Sequence, residues 1–430
     1  MQEKTPAQKL ILGLQHVLAM FGATVLVPAL TGLNTSITLF CAGAGTLIFH
    51  LVTKKKVPVF LGSSFAFMVG IISVIGDSRY GDPDFMDKLA TVKGALIIAG
   101  LIYCLAGVLI KLVGYEKINK LLPPIVTGPI IIVIGLRLSS TAIDSAFYLK
   151  NDLGESFFSW KAVLITAIVL ATAIGISIYA KGIFNLMPIL FAIVIGYLVC
   201  IPLGLVDINP VREAEFFSFM DKGIVEQVLL LPTFKLDAIL AIAPISLVTI
   251  IEHVGDITTN SAVAGKNFMV DPGVHRTLLG DGIATSFAGL LGGPANTTYG
   301  ENTGVLAVTK NYDPSVIRIA AWFSILLGIL GKFGGLVTSI PSPVTGGISI
   351  ILYGMISAVG VRILVNSRLN FGNSRNLMIS ALIFVIGIGC DSIPVTKTVT
   401  ISGLAIAAVV GVFLALVLPE GEDSVLQEGE

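Results

Sequence analysis

Four carboxylates lie within apolar segments of the second half of the chain: Glu252 and Asp256 in APISLVTIIEHVGDITTN, Asp281 in LLGDGIATSFAG, and Glu301 in NTTYGENTGVLAVTK. A charged side chain at a bilayer centre costs about 2.5–3.5 kcal/mol on insertion scales, so such residues face a bundle interior and serve a purpose there. Glu252 and Asp256 are spaced i, i+4 and share one helical face, with His253 turned roughly 100° away. Two carboxylates that close repel if both ionise, so one must be protonated or hydrogen-bonded, which is the physical basis of a proton-coupled site. The alternative for each is polar glue between helices through Ser or Thr partners. His253 fits either a proton relay with Glu252 or a packed, hydrogen-bonded histidine. His16, His50 and His275 form no HxxxH or His/Cys cluster, so no metal site is expected. With no Walker loop, nucleophile elbow or zinc motif, no catalytic residues and no enzymatic activity are expected either.

The elements around these residues are read as broken. Asn296 to Tyr299 has the bias of a short extended segment, Gly300 frees the backbone, and Gly304 to Val308 begins a helix. A helix starting in mid-membrane aims its free N–H groups and positive dipole end at whatever occupies the break. The first half holds the same order: Val57 to Phe60 favours a strand, Gly62 breaks it, and Ser63-Ser64 can cap a half-helix running through Ile71. The plainer alternative is two glycine-kinked helices.

With 430 residues, 54% of them apolar and 13% charged, the chain reads as an all-α polytopic membrane protein. Apolar segments centre near Met20, Thr46, Val69, Ile102, Ile131, Val169, Ile193, Val248, Thr285, Val305, Ile325, Ile351, Phe384 and Val409, giving about fourteen crossings. The two interrupted segments fall third in successive runs of seven. Seven crossings reverse orientation, so the halves would be inverted repeats. Basic residues at Lys54 to Lys56, Lys117, Lys120, Lys181, Lys266, Arg276, Lys310, Arg362, Arg368 and Arg375 put both termini in the cytoplasm, opposite the acidic or mixed stretches Asp77 to Lys88 and Asp144 to Glu155. No cleavable signal and no β-barrel alternation is expected. Val211 to Leu231 is patterned as an amphipathic helix at the outer interface, and the acidic tail 420–430 as disordered. Cys41, Cys104, Cys200 and Cys390 occur singly and read as small core hydrophobes.

Four stretches, QHVLAMFGATVLVP (Gln15 to Pro28), LGSSFAF (Leu61 to Phe67), EHVGD (Glu252 to Asp256) and NTTYGENTGVLAVTK, resemble the nucleobase–ascorbate transporter family, most of all its uracil-transporting branch. The last carries that family's signature, and the similarity extends over essentially the whole chain. The resemblance implies a core domain (1–113, segments 1–4, and 232–340, segments 8–11) and a gate domain (114–231, segments 5–7 with the interfacial helix, and 341–419, segments 12–14). It further implies a homodimer in the cytoplasmic membrane and an elevator-like movement of core past gate. Substrate would sit between the third and tenth segments, held by the Glu252 and Glu301 carboxylates and by backbone N–H groups of Phe65 and Gly300. Ala23, Phe65, Tyr299 and Tyr353 would pack around its ring.

The chemistry agrees with uracil, a neutral planar ring whose N–H donors need acceptors and whose carbonyls need fixed donors. The start of a half-helix suits a charged Glu301, while Glu252, mid-helix in apolar surroundings, is expected to carry the coupled proton. A proton gradient is expected as the coupling partner, with sodium the alternative coupling ion that the sequence leaves open, and with no cofactor and no nucleic acid. One departure matters: some family members that carry uracil have a histidine where this chain has Asp256. That residue and Asp281 resemble purine carriers, leaving xanthine or urate as an alternative. Against it, Glu301 resembles the uracil type, where purine carriers more often show Gln. Sulfate or bicarbonate transport by the same fold is the alternative of another class, which needs net positive charge at the half-helix ends and is opposed by the two glutamates of the site. A membrane enzyme lacks a catalytic constellation, and a channel lacks a filter repeat. Gly346-Gly347 with Pro341 and Pro343 fit either a hinge or ordinary helix packing.

Overall fold

The computed structural model describes residues 5–114, 123–150, 155–182, 184–390, 392–394 and 400–419. Lys117, Lys120, part of the acidic stretch before Glu155, and the tail 420–430 lie outside them.

The first helices are bounded by local chemistry. Helix α1, Pro6–Thr31, starts at a capping box between Thr5 and Gln8 and stops at Gly32, which adopts φ +78°. Helix α2, Thr35–Val52, begins where the Asn34 carboxamide accepts from the Ser36 and Ile37 N–H groups at 2.9 and 3.1 Å. Strand β1, Leu61–Ser63, and helix α3, Met68–Ile75, make a broken segment. There follow α4, Phe85–Val113, α5, Pro124–Arg137, α6, Ser139–Phe147, a hairpin of β2, Tyr148–Lys150, with β3, Ser156–Phe158, then α7, Trp160–Tyr179, and α8, Pro188–Cys200.

Short helices α9, Asn209–Glu213, and α10, Lys222–Leu229, precede α11, Leu236–Ile242, α12, Ile245–Ala264, and α13, Val274–Leu291. Strand β4, Asn296–Thr298, and helix α14, Gly300–Thr309, form the second broken segment. The rest is α15, Pro314–Ile329, α16, Gly331–Thr338, α17, Ser342–Asn366, α18, Ser374–Gly389, strands β5, Ser392–Pro394, and β6, Thr400–Ser402, and α19, Gly403–Val417. Among the described residues seven helical stretches are long and apolar enough to cross a membrane, and four apolar helices are shorter. All four cysteines are free, Cys41 and Cys200 fully buried.

Three local expectations are corrected. The strand is not Val57 to Phe60 but Leu61–Ser63, and Gly62 lies inside it; a Cβ there would overlap the Tyr299 ring, so glycine serves close approach rather than a break. Ser63 and Ser64 do not cap α3, whose N-cap is Phe67. Ser63 Oγ instead donates to the Thr24 carbonyl at 3.3 Å, and the Ser64 N–H donates to the Ala295 carbonyl at 2.8 Å. In the second half the helix starts at Gly300 rather than Gly304.

Val211 to Leu231 is not one helix. The Asp221 carboxylate caps a fresh start by accepting from the Gly223 and Ile224 N–H groups. Phe217 bridges to Leu330, and the Gly331 N–H donates to the Phe216 carbonyl, so the middle is extended and stitched to α15 and α16. Phe216, Phe219 and Met220 are exposed. Lys93 of α4, completely buried, donates to the Gln227, Val228 and Leu230 carbonyls at 2.9, 3.2 and 2.5 Å, closing the end of α10.

Candidate functional site

Strands β1 and β4 pair antiparallel in the register Leu61 with Thr298, Gly62 with Thr297 and Ser63 with Asn296, all six residues buried. The pairing extends through the Tyr299 N–H to the Phe60 carbonyl at 3.0 Å. Backbone polar groups of the two strands are thereby satisfied by each other, the condition under which non-helical chain survives inside a membrane. Asn296 fixes β4 from the side, its amide donating to the Cys41 and Ala284 carbonyls. Helices α3 and α14 lead away from this pair, and neither start is capped by a side chain. The Met68 N–H donates to the Phe65 carbonyl at 3.1 Å, whereas the Gly300 N–H precedes the first intrahelical bond of α14, from the Thr303 N–H to the Tyr299 carbonyl, and can meet a ligand.

Tyr299 locks the junction. Its ring covers Gly62, and its hydroxyl donates to the Ser63 carbonyl at 2.9 Å and accepts from Thr24 at 3.3 Å. Ala23 and Tyr299 share one buried apolar cluster and Tyr353 belongs to another, and half-buried Phe65 packs against both. The Gly300 backbone is exposed, with open space where a Cβ would stand.

The carboxylates converge beside this junction. Glu301 is in the first turn of α14, half-buried, and within Coulombic reach of Glu252 and Asp256 on α12. Glu252 and Asp256 lie on one face, as their spacing requires, and Asp256 Oδ2 accepts from Thr298 Oγ1 at 2.6 Å. Among the described residues none of the three forms an ion pair with lysine or arginine. His253 points elsewhere: its Nδ1 is 2.9 Å from Asp281 Oδ2, and both side chains are fully buried. Asp281 is thus hydrogen-bonded to His253 behind the shared face of α12, while staying within Coulombic reach of Glu252. No metal-binding cluster occurs among the described residues.

Sequence reasoning did not single out several polar residues that build the site. Asn302 donates to His16 Nδ1 and to the His16 carbonyl, at 3.1 and 3.0 Å, and Asn260 donates to the Pro58 carbonyl and to Thr303. Thr24, Thr298 and Asn296 complete the set. Their signal was available, since each is a hydrogen-bonding side chain inside an apolar segment.

The arrangement offers carboxylate acceptors facing uncapped half-helix donors, with aromatic and small apolar walls, which suits a neutral planar heterocycle. A cavity of about 390 Å³ lies away from it, toward the far end of α3, between Ser73, Asp87, Thr91, Arg137, Lys235 and Asp237. The chemistry and not this cavity marks the site.

Comparison with known proteins agrees. The Xan_ur_permease model, described as "Permease family", matches residues 7–396. The uracil permease of Bacillus caldolyticus is 43% identical, over 96% of this chain and 93% of that protein. The uracil permeases of Bacillus subtilis (strain 168) and Escherichia coli (strain K12) are 40% and 36% identical, over 97% and 95% of this chain and 94% and 91% of theirs. Among solved structures, the transmembrane domain of the cyanobacterial bicarbonate transporter BicA aligns with TM-score 0.64 and 18% identity, over 97% of this chain and 98% of that one. Murine Solute Carrier 26 family member A9, an anion transporter, aligns with TM-score 0.69 and 9% identity, over 97% and 69%. At those identities the likeness is one of fold.

Proposed function

The chain belongs to the Xan_ur_permease family, and from that premise we propose that it is a proton-coupled uracil permease. It is an integral membrane protein and a nucleobase transporter. The observation that carries the reading is the convergence of Glu301, at the uncapped start of α14, with Glu252 and Asp256 on one face of α12.

In this reading the carboxylates accept from the uracil N–H groups, and the Phe65 and Gly300 N–H groups meet its carbonyls. Ala23, Phe65, Tyr299 and Tyr353 enclose the ring, Tyr299 through Gly62 rather than through its engaged hydroxyl. Three carboxylates without a cation repel one another unless a proton is shared among them, and a neutral substrate does not neutralise them. Binding of uracil and a proton together removes that conflict, which is a reason for the two to travel together. Glu252 is the proposed proton carrier. The fourteen segments would form two inverted repeats, with the core (1–113 and 232–340) moving past the gate (114–231 and 341–419). The protein would act as a homodimer in the cytoplasmic membrane, both termini inside, with lipid and protons its other partners.

A purine such as xanthine or urate is the second reading, favoured by the acidic Asp256 held by Thr298. Transport of sulfate or bicarbonate is opposed by the same three carboxylates, whatever the fold resemblance. The test is Glu252→Gln in proteoliposomes: an inward proton gradient is expected to leave its uracil uptake unstimulated. An uptake rate in that variant that still rises with the gradient would sink the assignment.

A further inference from the structure

Helix α13 is fixed rigidly to α4. Gly100 and Gly282 bring the two backbones so close that a Cβ on either would stand 2.5–2.6 Å from a carbonyl oxygen of the other helix. Helix α12 has no such seam, and Gly255 on its exposed face meets nothing within 4 Å. Its rotation about its own axis is therefore set by side-chain pegs and by the packing of its buried Val248, Ile250, Val254 and Ile257. Asp256 to Thr298 and Asn260 to Thr303 tie it to the second broken segment, and Asn260 also reaches Pro58. On the opposite side His253 to Asp281 pegs it into the α4–α13 block, one turn from Thr249, which faces the Tyr103 hydroxyl of α4.

We infer that Asp281 is a positioning residue: through His253 it sets the rotation of α12, and so aims Glu252 and Asp256 at the substrate. The lever is short and steep. Side chains reach about 5–6 Å from a helix axis, so a roll of about 20° moves a carboxylate by about 2 Å. A hydrogen bond does not survive that displacement. Both partners are completely buried, the His253 ring packs edge-on against Phe49, and among the described residues His253 Nε2 and Asp281 Oδ1 have no hydrogen-bond partner, so the pair's polar anchoring is this one bond. The role assigned to Glu252 rests on the transporter reading above; the rotation of α12 does not.

The experiment uses the full-length protein with its four cysteines replaced by alanine and with Gly255→Cys as a probe of the α12 face. Two readouts are taken: the labelling rate of this introduced thiol by a small water-soluble maleimide, and KM against Vmax for uracil in proteoliposomes. Asp281→Ala is expected to change labelling at least fivefold and to raise KM at least tenfold with a smaller loss of Vmax. Asp281→Asn keeps an acceptor for His253 and is expected to stay within twofold of the parent on both. Should Asp281→Ala not fold, the double variant His253→Phe/Asp281→Leu removes the peg without an orphaned polar group and carries the same expectations. Unchanged labelling in the peg-less variants overturns the proposal, and so does an Asp281→Asn variant as defective as Asp281→Ala. Altered labelling in the peg-less variants of a parent protein that carries no uracil would leave the positioning role standing and refute the substrate instead.

Discussion

Gly62→Ala tests how the broken segments hold the site. Its Cβ would overlap the Tyr299 ring, 2.5 and 2.7 Å from two of its edge carbons and well inside contact. The ring cannot swing away without breaking the hydroxyl's bonds to Ser63 at 2.9 Å and Thr24 at 3.3 Å. Overpacking costs about 1–3 kcal/mol, and losing one of those hydrogen bonds adds roughly 1 kcal/mol, so β1 and β4 are forced apart at about 2–4 kcal/mol. If ligand needs the pair closed, the binding-competent fraction falls accordingly, which at about 1.4 kcal/mol per decade weakens apparent affinity by roughly 30- to 1,000-fold. The assay is equilibrium binding of radiolabelled uracil to detergent-solubilised protein of verified monodispersity. Gly175→Ala, where a Cβ meets nothing within 4 Å, is the control and should bind as the parent does. Parental affinity in Gly62→Ala would refute the claim that this contact holds the site closed.

Other consequences are independent of that contact. Thr298→Val removes the donor at 2.6 Å from Asp256; in a double-mutant cycle with Asp256→Asn, uracil binding should show coupling of about 1–3 kcal/mol, and additive effects would contradict the pairing. Lys93→Met strips the cation from three carbonyls at the end of α10 and should lower thermal stability while leaving KM for uracil unchanged. Outside the membrane, partial burial pushes the Asp313 carboxyl up, but hydrogen bonds from Lys9 and from the Ser315 hydroxyl and N–H outweigh it and hold it down at about 2. Its unfolded value is about 3.9, so its contribution is present above roughly pH 4 and lost as pH falls toward about 2. That contribution is under about 1 kcal/mol for so exposed a pair. Asp313→Asn should flatten this part of the acid melting curve, and an unchanged acid limb would contradict the pairing.

What the sequence discloses about the site depends on range. The shared face of Glu252 and Asp256 follows from i, i+4 spacing within one helix and was legible. So was the order of extended segment, break and half-helix at Asn296 to Val308. The register of β1 was not, because Leu61–Ser63 is a strand only by virtue of Asn296–Thr298, more than 230 residues away. Gly62 was misread for the same reason: its neighbour, the Tyr299 ring, comes from the other half of the chain. His253 and Asp281 were each visible as ionisable groups in apolar sequence, yet their pairing is a property of α12 against α13. The division of Val211 to Leu231 could have been read at Asp221, whose carboxylate followed by Lys222-Gly223 is a helix start. The tether to Leu330 and Gly331 could not.

The most direct test of the central claim is uptake of radiolabelled uracil into proteoliposomes, with and without an inward proton gradient and with unlabelled xanthine as competitor. The account predicts uptake that the gradient stimulates and excess xanthine does not suppress. Absence of uracil uptake, or its suppression by xanthine, would contradict it and point to the purine reading of Asp256 and Asp281.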